Sequence, residues 1–142
     1  MPKLRRGAEA IKRRSAAISS IGLLLVLALA QPAAALETVT IRSCYDGDTC
    51  TTRAGEKVWL ACIDTPELRG KRADPVPAKA ARDYLRGLVV GRQVGLRRIT
   101  KDWYGRIVGE LFLNGSNVQQ GLVASGHADI YWKYAHQCAW TR

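Results

Sequence analysis

Two short acidic turns divide the strand-like part of this 142-residue chain, and they limit where strands can run. Asp46-Gly47-Asp48-Thr49 lies between two runs that read as strands of a hairpin, 38–43 and 50–53. Asp-Gly is a tight-turn dipeptide, because glycine tolerates positive φ. Ile63-Asp64-Thr65-Pro66-Glu67 closes a third strand-like run, 56–63, and Pro66 stops that strand from continuing. The carboxylates of Asp48, Asp64 and Glu67 are thereby placed at strand ends. Hard oxygen donors at that density suit Ca²⁺ or Mg²⁺ rather than zinc. The first turn alone reads equally well as ordinary loop chemistry, and it is the two together, with the motif that follows, that point to a site.

Asp102-Trp103-Tyr104-Gly105-Arg106 occupies another strand–turn–strand junction. It offers a guanidinium and a phenol, both suited to phosphate. A phosphodiester repels an attacking hydroxide. Its cleavage needs a cation on the phosphate oxygen, a base for water and cationic donors for the charge that builds up. Asp48 and Asp64 are candidate metal ligands, with the Thr65 carbonyl and waters completing the shell. Glu67 is the candidate base, Arg106 the phosphate clamp and Tyr104 a donor beside it.

In this order the three motifs resemble the staphylococcal-nuclease-like (thermonuclease) family, over about residues 39–131. The resemblance implies Ca²⁺ as cofactor, bound by Asp48, Asp64 and the Thr65 carbonyl. It implies that Glu67 acts on the attacking water, that Arg106 contacts the phosphate and that Tyr104 lies beside the nucleotide. The implied activity is cleavage of DNA and RNA with little sequence preference, leaving 3′-phosphates.

One departure stands inside the site. Five residues before Asp64 the family pattern has an Arg, and this chain has Trp59. An indole cannot donate two charged hydrogen bonds. Lys57, on the same strand face, and Arg53 are the candidate substitutes. Trp59 stands with Tyr104 and Lys57 among the candidate phosphate- or nucleotide-binding residues, with simple packing as its alternative. The alternative function is therefore a catalytically impaired nucleic-acid-binding module, or a truncated remnant of such a nuclease.

The elements read as three strands, a helix over 77–88, strands over 93–99 and 107–113, a turn at Asn114-Gly115 and a helix over 117–125. Residues 68–76 read as a basic loop carrying Arg69, Lys71 and Arg72. Ala81, Leu85, Leu88 and Val89 recur at helical spacing. The pattern is α+β, and it fits a five-stranded OB-fold-type barrel with flanking helices. Sixteen residues follow Gly126. They are too few for the family's third helix to stand alone, so the C-terminal helix reads as truncated.

Residues 1–35 read as a cleaved signal peptide, and 36–142 as the nuclease-like domain. Six basic side chains precede an apolar run over 21–30, and Ala33-Ala34-Ala35 is a small-x-small cleavage site. That run is shorter than the roughly 20 apolar residues of a membrane-spanning helix. Arg13-Arg14 is a candidate twin-arginine signal, with a poor match after it. Residues 36–142 hold 16 basic and 11 acidic side chains, a positive balance that suits a polyanion such as DNA or RNA. Export, periplasmic or secreted, makes disulfides the natural use of Cys44, Cys50, Cys62 and Cys138. Three pairings are open. One joins Cys44 to Cys50 across the hairpin, and Cys62 to Cys138 at the tail. A zinc site is the alternative, without a Cys-x-x-Cys pair. A monomer with no stable membrane association is expected. His127 and His136 read as surface or cap residues. Trp103, Trp132 and Trp140 read mostly as packing residues, with base stacking as their functional alternative.

Overall fold

Alternation of buried and outward side chains builds the first three strands, β1 (Glu37–Cys44), β2 (Thr49–Thr52) and β3 (Lys57–Leu60). Ile41, Cys44, Cys50, Thr52, Val58 and Leu60 point inward and are sealed from solvent. Thr49, Thr51, Lys57 and Trp59 alternate with them on the outer face. The structure, a computed structural model, describes residues 35–142, so the leader expected over 1–35 lies outside the described residues but for Ala35.

The chain continues through β4 (Ile63–Asp64), α1 (Pro75–Val89), β5 (Gln93–Lys101), β6 (Ile107–Leu113), β7 (Ser116–Asn117), α2 (Val118–Ala124) and β8 (Asp129–Ile130). β1 pairs antiparallel with β2 and β5, β2 with β3, and β5 with β6. β3 and β6 then pair in parallel, Val58 opposite Ile107 and Leu60 opposite Gly109, which closes a five-stranded mixed barrel. This is the expected OB-fold-type α+β architecture. Its core joins Ile41, Val58, Leu60, Val94, Leu96 and Leu111 of the barrel to Leu85 and Val89 of α1 and Leu122 of α2.

The third strand is shorter than its apolar run. It stops at Leu60, because Cys62 adopts a φ of 68° and the Ala61 N–H turns to the Gly109 carbonyl. Buried Gln119 donates to the carbonyls of Ala61 and Gly109 and accepts from the Leu111 N–H, so the break leaves it satisfied. Asp64 therefore sits not at the end of β3 but in a separate short strand, where Ile63 and Asp64 face Ile130 and Asp129 of β8.

Helix α1 starts two residues before its expected position, at Pro75 behind Asp74, where a missing N–H costs nothing. Ala78, Ala81, Leu85 and Val89 form its buried stripe. Asn117 caps α2 by accepting from the Gln120 N–H, as its position suggests. After β8 the chain forms two 3₁₀ turns, Ala135–Gln137 and Ala139–Thr141. Two disulfides, Cys44–Cys50 and Cys62–Cys138, occupy all four cysteines. The second closes a 76-residue separation, tying the tail to the end of β3. It also removes Cys62 and Cys138 as zinc ligands, as the first removes Cys44 and Cys50.

Candidate active site

Gly47 explains how the first acidic turn is seated, though not through a positive φ, since Gly47 has none. A Cβ there would stand 2.8 Å from the Ala81 Cβ and 3.1 Å from the Thr65 Cγ2. Glycine is required by close approach: the turn is wedged between α1 and the Ile-Asp-Thr-Pro-Glu segment. The turn is closed by the Tyr45 N–H donating to the Thr49 carbonyl at 2.8 Å, and it is joined to β3 by the Leu60 N–H donating to the Asp48 carbonyl at 2.7 Å. Cys44–Cys50 clips its base.

Within the turn, the Asp48 N–H donates to Asp46 Oδ1 at 3.1 Å, and the Thr49 hydroxyl donates to Asp48 Oδ1 at 3.1 Å. Burial, then the charge of Asp46, pushes the Asp48 carboxyl up to about 7, with Thr49 and Thr65 opposing the rise. Two carboxylates crowded in a desolvated turn are a repulsive pair that a hard cation would relieve. The donors are all oxygen, so the set fits Ca²⁺ or Mg²⁺. Thr65 is buried beside this turn, and Asp64 and Glu67 on either side of it are exposed. Among the described residues no three His, Cys, Asp or Glu side chains converge closely enough to hold a metal alone. Backbone oxygen and water would have to complete a shell.

The junction between β5 and β6 presents the guanidinium. Asp102 accepts from the backbone N–H groups of Tyr104 and Arg106, each at 2.9 Å, and from Arg106 Nε at 2.6 Å. Burial alone would raise the Asp102 carboxyl, but these donors hold it below its ordinary value. Gly105, at a φ of 78°, makes the turn possible. Arg106 Cζ lies 4.8 Å from the Trp59 ring centre and 5.7 Å from that of Tyr104. Trp59 is thus the platform beneath Arg106. It also packs over the small cluster of Ala61, Cys62, Val108 and Cys138. Lys57 is exposed and lines the same groove as Arg106, whereas Arg53, also exposed, is not among the residues lining it.

The packing expected of Trp103 and Trp132 does not occur: their side chains are 97% and 69% exposed, on a hairpin tip and after β8. Trp140 does pack, its Nε1 donating to buried Glu110 at 2.9 Å. His127 stacks on Tyr84 with centroids 4.5 Å apart, and His136 is exposed.

Two residues of this region were not among the sequence candidates. Asp46 shares the turn with Asp48, and their i, i+2 spacing was the available signal. Arg86, in the last turn of α1, lines a groove of about 570 Å³ together with Asp46, Thr49, Lys57 and Arg106. No local motif marks it, because only the packing of α1 on the barrel brings it there.

A closed OB-type barrel bearing an acidic turn on one strand junction and a braced guanidinium on another defines the class of molecule. The sequence profile described as staphylococcal nuclease homologue matches residues 57–140, and the chain belongs to that family. The match begins at Lys57, so the Asp-Gly-Asp turn lies upstream of it. An uncharacterized endonuclease of Escherichia coli is 34% identical over 93 residues, covering 63% of this chain and 58% of that protein. A staphylococcal-like nuclease of Arabidopsis thaliana is 33% identical over 88 residues, covering 59% of this chain and 25% of the plant protein. The chain thus spans less than two thirds of either relative.

Proposed function

We propose that this protein is an exported, Ca²⁺-dependent nuclease that hydrolyses phosphodiester bonds of DNA and RNA with little sequence preference. The observation that carries the reading is one groove lined both by Asp46 of the acidic turn and by Arg106. A hard-oxygen site and a phosphate-binding guanidinium on a shared surface are what phosphodiester hydrolysis needs. Family membership and relatives named as nucleases support the same reading.

Asp48, Asp64 and the Thr65 carbonyl would hold the cation, with Asp46 beside them. Bound there, it would supply Lewis-acid polarisation of the phosphate. Glu67, whose exposed carboxylate has no hydrogen-bond partner among the described residues, takes the proton of the attacking water. Arg106 holds a phosphate oxygen with its terminal nitrogens, while Asp102 braces Nε and Trp59 supports the guanidinium plane. The Tyr104 side chain, 82% exposed, lines an adjoining pocket with Lys57 and Arg106, from which its hydroxyl would donate to the nucleotide. Two disulfides support an oxidising compartment, periplasmic or extracellular, after removal of residues 1–35. Among the described residues no helix is long and apolar enough to cross a membrane.

Trp59 favours a second reading. With an indole where a guanidinium is expected, the groove would bind nucleic acid and cut it poorly. Plasmid nicking by the disulfide-bonded protein separates the two. Nicking should require Ca²⁺, stop with EGTA and fall at least about 10²-fold in Glu67→Gln, the scale of a lost general base. Binding without nicking, in wild type and Glu67→Gln alike, would establish the second reading instead.

A further inference from the structure

Arg86 and Arg106 reach one groove from different elements and are held in the same way. Arg106 is anchored through Nε on Asp102. Arg86 is anchored through Nε on the Cys44 carbonyl at 2.8 Å, next to the disulfide that clips the acidic turn. Among the described residues neither has any other side-chain hydrogen bond or ion pair. Each guanidinium is therefore fixed at its neck, with both terminal nitrogens left to donate. A planar fork held like this is suited to bidentate contact with a tetrahedral anion.

The charge of the groove agrees. Lys57, Arg86 and Arg106 face it against the single carboxylate of Asp46, and neither Lys57 nor Arg86 is ion-paired among the described residues. Arg86 is solvent-exposed and lines the open groove that Arg106 also lines, so its charge is available to a ligand there. Thr49 and Thr51 add outward side chains along its floor.

We infer that Arg86 is a second phosphate-binding residue of this nuclease. On this assignment its fork grips the backbone of the bound strand and supplies from helix α1 the cationic contact that Trp59 cannot make from β3. The inference rests on the nuclease reading above and names the residue that compensates at its weakest point. It also explains why a groove with one guanidinium fewer on its strand face keeps a net positive lining.

Arg86→Gln is the decisive variant. Its Nε2 stands at the position of Arg Nε and can still donate to the Cys44 carbonyl, while the charged fork is gone. Binding of a short fluorescein-labelled oligothymidylate, with Ca²⁺ and in a Glu67→Gln background, should weaken about 10- to 10²-fold, the scale of a hydrogen bond to a charged group. The slope of log affinity against log salt should become shallower by about 0.7, one phosphate contact on a single strand. A purely structural anchor would shift the thermal midpoint and leave that slope unchanged. Arg86→Lys should restore the slope and only part of the affinity.

A folded Arg86→Gln protein with the parent's affinity and salt slope overturns the assignment, while plasmid nicking by the Arg86-containing protein would leave the nuclease reading intact. If that protein neither binds the oligonucleotide nor nicks plasmid, the nuclease reading falls and this assignment falls with it.

Discussion

The guanidinium of Arg106 stacks on the indole of Trp59, Cζ lying 4.8 Å from the ring centre. The indole also covers the cluster around Cys62 and Cys138. Position 59 thus links the tail-anchoring disulfide to the candidate phosphate clamp. A cation over an aromatic face gains about 0.5–2 kcal/mol depending on exposure.

Trp59→Ala removes both contacts. Urea denaturation should show a loss of roughly 2 kcal/mol, less than the 3–5 kcal/mol of a fully buried aromatic because Trp59 is only half-buried. Oligonucleotide binding should weaken as well, since Arg106 loses its platform. Trp59→Phe keeps a ring and should recover most of the binding. Equal binding by Trp59→Ala and wild type would show that Asp102 alone positions Arg106.

The Asp48 carboxyl gives the metal-free protein a characteristic pH response. Its folded value is raised, to about 7, so the folded state holds this proton more tightly than the unfolded chain does. Stability from this group is complete below about 3.9, the unfolded value, and is lost as pH rises through about 7. Glu37, Glu56, Asp83 and Asp102 are shifted the other way by their arginine partners, so their contributions fade only as pH falls toward the acid range. Between pH 5 and 8 the two sets separate. The thermal midpoint without metal should decline over that window, and Ca²⁺ should raise it increasingly with pH. Asp46→Asn removes the neighbouring charge and should flatten the decline. A flat profile in the unsubstituted protein would count against the crowded pair.

Gly47 gives a test of how the acidic turn is seated. Gly47→Ala puts a methyl 2.8 Å from the Ala81 Cβ. Overpacking of this kind costs about 1–3 kcal/mol, and the displaced turn should also bind Ca²⁺ less well. Ala81→Gly in the same chain makes room and should return much of both. If the single substitution changes neither thermal midpoint nor Ca²⁺ response, the turn is not wedged as described.

Much of this could be read from the sequence because strands, caps and turns are local. Asn114 and Gly115, both at positive φ, form the expected turn, and Asn117 caps the helix it precedes. The end of β3 was not legible. Nothing in an unbroken apolar run marks the positive φ at Cys62, which accompanies a disulfide to Cys138 and a hydrogen bond from distant Gln119. Gly47 reads in the sequence as a positive-φ turn glycine, but it is needed for space, since the atoms a side chain would meet belong to Ala81 and Thr65. Arg86 was invisible for a related cause. A surface arginine on an amphipathic helix acquires a role only when the helix docks, and docking is a tertiary event.

Trp59 and Arg86 make a coupled pair of predictions. If Arg86 already supplies the second guanidinium, then Trp59→Arg adds a third cation beside Arg106 and should increase cleavage less than tenfold. The same change in an Arg86→Gln background restores a missing contact and should raise the rate much more. The upper bound is the 10³–10⁵ that a guanidinium contributes at a phosphoryl-transfer transition state. Both Trp59→Arg proteins should be less stable, because the indole no longer covers Ala61 and the disulfide. Rates are therefore compared at a temperature where circular dichroism shows each variant folded. The double-mutant cycle measures the coupling directly. A gain from Trp59→Arg that is the same with and without Arg86 would mean that the two positions serve different phosphates. A loss in both backgrounds would mean that the platform under Arg106 matters more than a further positive charge.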